Sequence, residues 1–194
     1  MTKLGAALLL AVGAHAATAA AAADPRNRAE ASLQGGAVLE NPAFGPELGY
    51  GRRLLSWRRL DVFAGASQVY RLTPALDDPH EFGTGTSRSE WRHHFSLRLG
   101  PGAALRLPPG ERLLVGLDLL GGFTYLKVHG RFKNPDQGID RPYAASDTRS
   151  VFGVRLWSSF RVSARWSLLV SYWRPLGPAL TSGWHAGVGA AVGF

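Results

Sequence analysis

The chain has 194 residues and a net charge of +8, carried by 19 arginines and three lysines against 14 acids, long enough for one domain with a sizeable core. It contains no cysteine, which excludes a disulfide framework, a thiolate metal site and a lipid-anchored N-terminal cysteine. Beyond the N-terminus no run reaches the roughly 18 apolar residues of a spanning helix. No nucleic-acid-binding motif accompanies the charge, so its partner is expected to be anionic lipid or lipopolysaccharide and not nucleic acid.

Residues 1–23 read as a cleaved export signal. Met1-Thr2-Lys3 supplies the positive start, Leu4 to Val12 the apolar run, and small residues follow through Ala23. Such a segment is too short to span and ends in small residues suited to cleavage, after Ala16 or after Ala23. Residues 24–194 then form a single domain.

From Asp24 onward the polarity alternates with a period of two, the mark of strands whose two faces meet different surroundings. Eight strands are expected at 30–40, 46–56, 60–71, 90–101, 112–128, 149–163, 166–175 and 183–194. Within the fifth, Leu113, Val115, Leu117, Leu119, Gly121, Phe123 and Tyr125 share one face, while Asp118 sits mid-strand on the other. In the seventh, Trp166, Leu168, Val170 and Tyr172 share a face with aromatics at both ends. In the eighth, Trp184, Ala186, Val188, Ala190, Val192 and Phe194 point one way and a nearly all-glycine set, with Gly187, Gly189 and Gly193, points inward toward long arginines. Aromatics spaced by a bilayer thickness are the girdles of a membrane barrel.

The connections sort by length. Those near 57–59, 107–111 and 164–165 are short turns, 72–89 and 129–148 are long loops, and 41–45 and 176–182 are intermediate. Short periplasmic turns alternating with longer outer loops suit a transmembrane barrel, and an even strand number leaves both termini periplasmic. Hydrocarbon offers no partner to an open sheet edge, so the sheet must close. The expected fold is therefore all-β, an eight-stranded antiparallel up-and-down transmembrane β-barrel, with a lumen that side chains fill.

This architecture resembles the small outer-membrane barrels of the OmpA, OmpX and OmpW type over essentially the whole mature length. The resemblance implies residence in the outer membrane and recognition of the last strand by the barrel assembly machinery through Phe194 with Val192, Ala190 and Val188; a monomer is expected. No cofactor and no metal are expected.

With apolar faces outward, the interior set is Gln34, Glu40, Arg53, Asp61, Arg71, Arg92, His94, Ser96, Arg98, Asp118, Arg155, Arg161 and His185. Buried charges are costly unless paired, so interior ion pairs are expected, with Asp118 to Arg155 or Arg98 foremost. Of the adjacent Arg52 and Arg53, one must point outward. His94 and Ser96, two apart on one strand face with Glu90 nearby, are the candidates for acyl-transfer chemistry, in which a histidine activates a serine and a carboxylate orients the ring. His94-Phe95-Ser96 resembles the first part of the His-x-Ser-Asn element of the PagL-type lipid A deacylases, although Leu97 stands where that family has Asn and the element lies earlier in the chain. His80 with Asp77, Asp78 and Glu81 could bind a divalent cation. In the 129–148 loop, His129, Arg131, Lys133, Arg141 and Arg149 accompany Asp136, Asp140 and Asp147, a set able to clamp lipopolysaccharide phosphates. The expected function is a non-enzymatic barrel with a structural, surface-interaction or small hydrophobic solute role; the alternative is a lipid A deacylase.

Overall fold

A computed structural model describes residues 26–38, 41–73, 87–108, 111–176 and 183–194. The expected signal segment, Glu40 and the His80 cluster lie outside the described residues. The strands are β1 (Asn27–Val38), β2 (Asn41–Trp57), β3 (Leu60–Thr73), β4 (Ser87–Leu107), β5 (Leu113–Asn134), β6 (Ile139–Arg161), β7 (Trp166–Pro175) and β8 (His185–Gly193). They pair antiparallel in chain order, and β1 closes on β8 from Arg28↔Gly193 to Gly36↔His185. Closure gives the two potential edge strands partners, as hydrocarbon requires.

The alternation expected in the fifth strand is present: Val115, Leu117, Leu119, Phe123 and Tyr125 are exposed, while Asp118 and Leu120 are buried. Across the described residues, 17 polar or charged side chains are buried against nine apolar ones. The molecule is thus built inside out, with a polar lumen and an apolar wall. Trp57, Phe160 and Trp166 ring the wall near the end that holds both termini; Phe44, Tyr70, Trp91, Tyr125, Tyr172 and Trp184 ring the opposite end, all exposed. Arg52 points outward and Arg53 inward, where a register irregularity between Arg53 and Leu55 bends β2.

Several expectations of extent are corrected. Residues 41–45 are strand, so β1 and β2 are joined through residues 39–40. β4 continues past Pro101 to Leu107; Pro101 has no N–H to donate, and it sits with its side chain exposed on the wall. The largest change concerns 129–148, which is not an open loop. β5 and β6 continue their ladder to Asn134↔Ile139 and turn through a single 3-10 turn at Pro135–Gln137. Asn134 caps that turn and Gly138 leaves it at φ 63°, the left-handed conformation that glycine adopts freely. The strand signal faded there because its outward row changes from apolar to cationic, while the backbone ladder needs no apolar face once above the membrane.

The bottoms of β5, β6 and β7 are level, with Leu113↔Phe160 and Arg161↔Ser167 in register. β7 has ten residues and β5 has 22. At about 3.3 Å per residue and a tilt near 40°, β7 rises about 25 Å, one apolar band, and β5 stands roughly 30 Å taller. The upper parts of β4, β5 and β6 therefore form a three-stranded extension on one side of the barrel.

Candidate functional site: a charged lumen and a basic outer face

The lumen is layered upward from the end that holds both termini. At the mouth, Asp61 accepts from Arg106 Nε at 2.9 Å and from Ser56 Oγ at 2.7 Å, with Arg53 at 4.0 Å. Above it Phe63 meets Trp157 edge-on, centroids 6.3 Å apart, in an apolar plug with Ala104, Leu114 and Leu169. Arg28 lies over the Trp157 ring at 3.8 Å. Next comes Arg155, which donates to Glu30 Oε2 at 2.5 Å and to Asp118 Oδ2 at 3.4 Å. Glu30 also pairs with Arg28, and Asp118 accepts from Trp157 Nε1 at 3.1 Å. Leu120, Val151 and Trp173 make a second apolar layer.

Of the two arginines expected near Asp118, only Arg155 is placed on it. Arg98 is fully buried with its guanidinium carbon 4.0 Å from the Trp173 ring centroid, because β4 sets it opposite Gly122, four residues along from Asp118. Higher up, Gln34 Nε2 donates to Glu47 and Ser32 at 2.6 and 2.7 Å and stands 3.2 Å from Ser171 Oγ, and Arg71 lies 3.1 Å from His185. The inward glycines are crowded, but not by arginines. A Cβ at Gly187 would stand 2.4 Å from the Gln34 amide, and one at Gly189 would stand 2.1 Å from the Ala31 carbonyl oxygen. Trp157 covers Gly116, and Trp173 covers Gly153, in the same way.

His94 and Ser96 both face the lumen and are buried. Ser96 Oγ shares a 2.8 Å hydrogen bond with Thr124, and His94 Nε2 lies 3.4 Å from Thr73 Oγ1. Glu90 is engaged by Arg92 and accepts from the Tyr143 hydroxyl at 2.6 Å. The three candidates thus face separate partners, with no serine–histidine–carboxylate relay and no exposure to lipid. Among the described residues, no group of three or more histidines and acids stands close enough to hold a metal.

Outside, the upper part of β5 presents Lys127, His129, Arg131 and Lys133 as one exposed row, each two residues from the next. His93 on β4 stacks on His129 with centroids 4.8 Å apart and holds the Tyr70 hydroxyl at 2.7 Å, tying the row to the aromatic ring below it. Arg131 donates to Asp140 at 2.5 and 3.0 Å, which holds the Asp140 carboxyl below its ordinary range. Of the positive residues expected in this segment, Arg141 and Arg149 lie instead on the opposite strand face, opposite Phe132 and Thr124, and Arg149 pairs with Asp147.

No protein-family model and no curated protein sequence matches the chain. Among solved structures, the chain is similar to Ail, the attachment invasion locus protein of Yersinia pestis. The identity is 13%, 87% of this chain and 96% of that chain are covered, and the TM-score is 0.52. A second Ail structure, in complex with the heparin analogue sucrose octasulfate, matches at 14% identity with the same coverage and TM-score. Neisserial surface protein A matches at 14% identity, covering 87% of this chain and 96% of that one, with a TM-score of 0.44. The chain therefore carries the fold of the small eight-stranded outer-membrane β-barrels, the architecture that OmpA- and OmpX-like proteins share.

Proposed function

We propose that this protein is a non-enzymatic outer-membrane barrel that engages anionic groups at the cell surface through the outward face of its β4–β6 extension, the phosphates of lipopolysaccharide first among them. The carrying observation is the row Lys127–His129–Arg131–Lys133, set just above an aromatic ring that marks the membrane interface. Lys127, the lowest of these cations, meets the headgroup phosphates of the outer leaflet, and the row continues about 15 Å upward to Lys133 into the anionic layer above them, making charge-assisted contacts along its length. That Ail was solved with a sulfated heparin analogue is in keeping with such a role for the fold. Export through residues 1–23, and assembly read from the β8 segment ending in Val192 and Phe194, belong to the same reading.

The test is retention of lipopolysaccharide by the folded barrel after detergent extraction, measured as co-purified phosphate. The wild type is expected to retain it, and a Lys127→Gln, Arg131→Gln, Lys133→Gln variant to lose most of it. Equal retention by both overturns the proposal.

A further inference from the structure

The opposite end of the barrel carries a second basic feature that a surface role does not use. Residues from all eight strands line a cavity of about 60 Å³ at the periplasmic mouth, above the turns and below the Phe63–Trp157 plug. Its lining holds six arginines, Arg26, Arg28, Arg53, Arg106, Arg161 and Arg165, against one acid, Asp61. Glu30 and Glu111 pair with Arg28 and Arg106 from outside the lining, and the arginines still outnumber the acids two to one. Asp61 is already committed to Arg106 and Ser56. Arg28 Nε is buried and has no hydrogen-bond partner.

We infer that this mouth is a binding site for a small oxyanion of the phosphate class, entering from the periplasm. A cavity of that size holds about four waters, or one oxyanion in their place. Guanidinium forks match the paired oxygens of a phosphate, and a concave wall of one sign concentrates the opposite ion. The plug gives the site a floor, so the anion stops there instead of passing through the lumen. Free phosphate and the phosphate of an inner-leaflet lipid headgroup present the same chemistry. The lumenal position favours the free ion, since the strands separate the cavity from the acyl chains.

The experiment uses the folded full-length barrel in a neutral detergent, free of anionic lipid. Inorganic phosphate is titrated against chloride at constant ionic strength, with binding read by calorimetry and by the unfolding midpoint. Saturable binding is expected, weakened at least tenfold in an Arg26→Gln, Arg165→Gln variant. Both residues are exposed at the rim, so the variant keeps the fold, which heat-modifiable gel mobility verifies. The Lys127, Arg131, Lys133 variant should bind phosphate like the wild type, which separates this site from the outer row. No saturable binding, or chloride acting equally, overturns the inference. So does undiminished binding in the Arg26, Arg165 variant. In neutral nanodiscs doped with phosphatidylglycerol, competition by the lipid would transfer the site to headgroups and overturn the assignment to a free ion.

Discussion

Replacing Arg155 by Met tests what holds the lumen together. Arg155 is 5% exposed and bridges Glu30, at 4%, and Asp118, at 12%. Removing one partner of a buried charge pair leaves the other uncompensated, at a cost of about 3–5 kcal/mol. Glu30 retains Arg28, so the stranded charge is that of Asp118, left with only the Trp157 indole N–H. Asp118→Leu alone should cost about 1–2 kcal/mol, the loss of that hydrogen bond and the longer arm to Arg155. Once Arg155 is gone, however, Asp118→Leu removes the stranded charge and should return about 1 kcal/mol, so the coupling comes to about 2–3 kcal/mol, within the usual range for residues in contact. The assay is reversible urea unfolding in lipid vesicles followed by the six tryptophans. If Arg155→Met does not fold, Arg155→Lys keeps the charge and loses the fork, and should cost about half as much. A loss below 1 kcal/mol for Arg155→Met, or strict additivity in the cycle, would refute the view that this cluster stabilises the barrel.

Four further outcomes are expected. Gly153→Ala places a Cβ 2.4 Å from the Trp173 ring and 2.5 Å from the Arg174 carbonyl oxygen, and should destabilise by about 1–3 kcal/mol. Gly35→Ala, on the wall with nothing within 4 Å, should stay within about 0.5 kcal/mol of wild type in the same urea assay. Asp140 should titrate below its ordinary 3.8 by carboxyl NMR. Its pair with Arg131 then persists from neutral pH down through 3.8 and is lost only as pH falls through the lowered value; Arg131→Gln should move the titration back up. Folded protein incubated with lipid A should remove no acyl chain by mass spectrometry, and acyl loss that vanishes in Ser96→Ala would reinstate the hydrolase reading.

The barrel was legible because its wall is written in runs such as Leu113 to Tyr125, where one parity is lipid and the other lumen. The height of β5 and β6 was not. Above Lys127 the outward residues are cationic and the inward ones mixed, so only the backbone ladder reveals a strand, and a ladder has no side-chain signature. Parity also placed His94, Ser96, Arg98, Asp118 and Arg155 in the lumen. It does not say which strand tops stand level, and so left Arg98 as an equal partner for Asp118 when Trp173 takes it instead. Trp157 and Trp173 were easy to overlook because an aromatic in a membrane barrel is first read as girdle. The glycines that make room for them, Gly116 and Gly153, sit on neighbouring strands.

The seam between β1 and β8 has a consequence for how the cylinder is completed. Gln34 of β1 lies across bare Gly187 to reach Ser171 on β7 and Glu47 on β2, so one amide spans the join like a latch over a gap in a hoop. A slip of two residues that set His185 opposite Gln34 would jam that latch, while the native alignment lets it drop. The bare inner face at Gly187 thus discriminates against that slip: the latch drops where no side chain meets it, and a Gly187→Val chain should remain open and sensitive to protease.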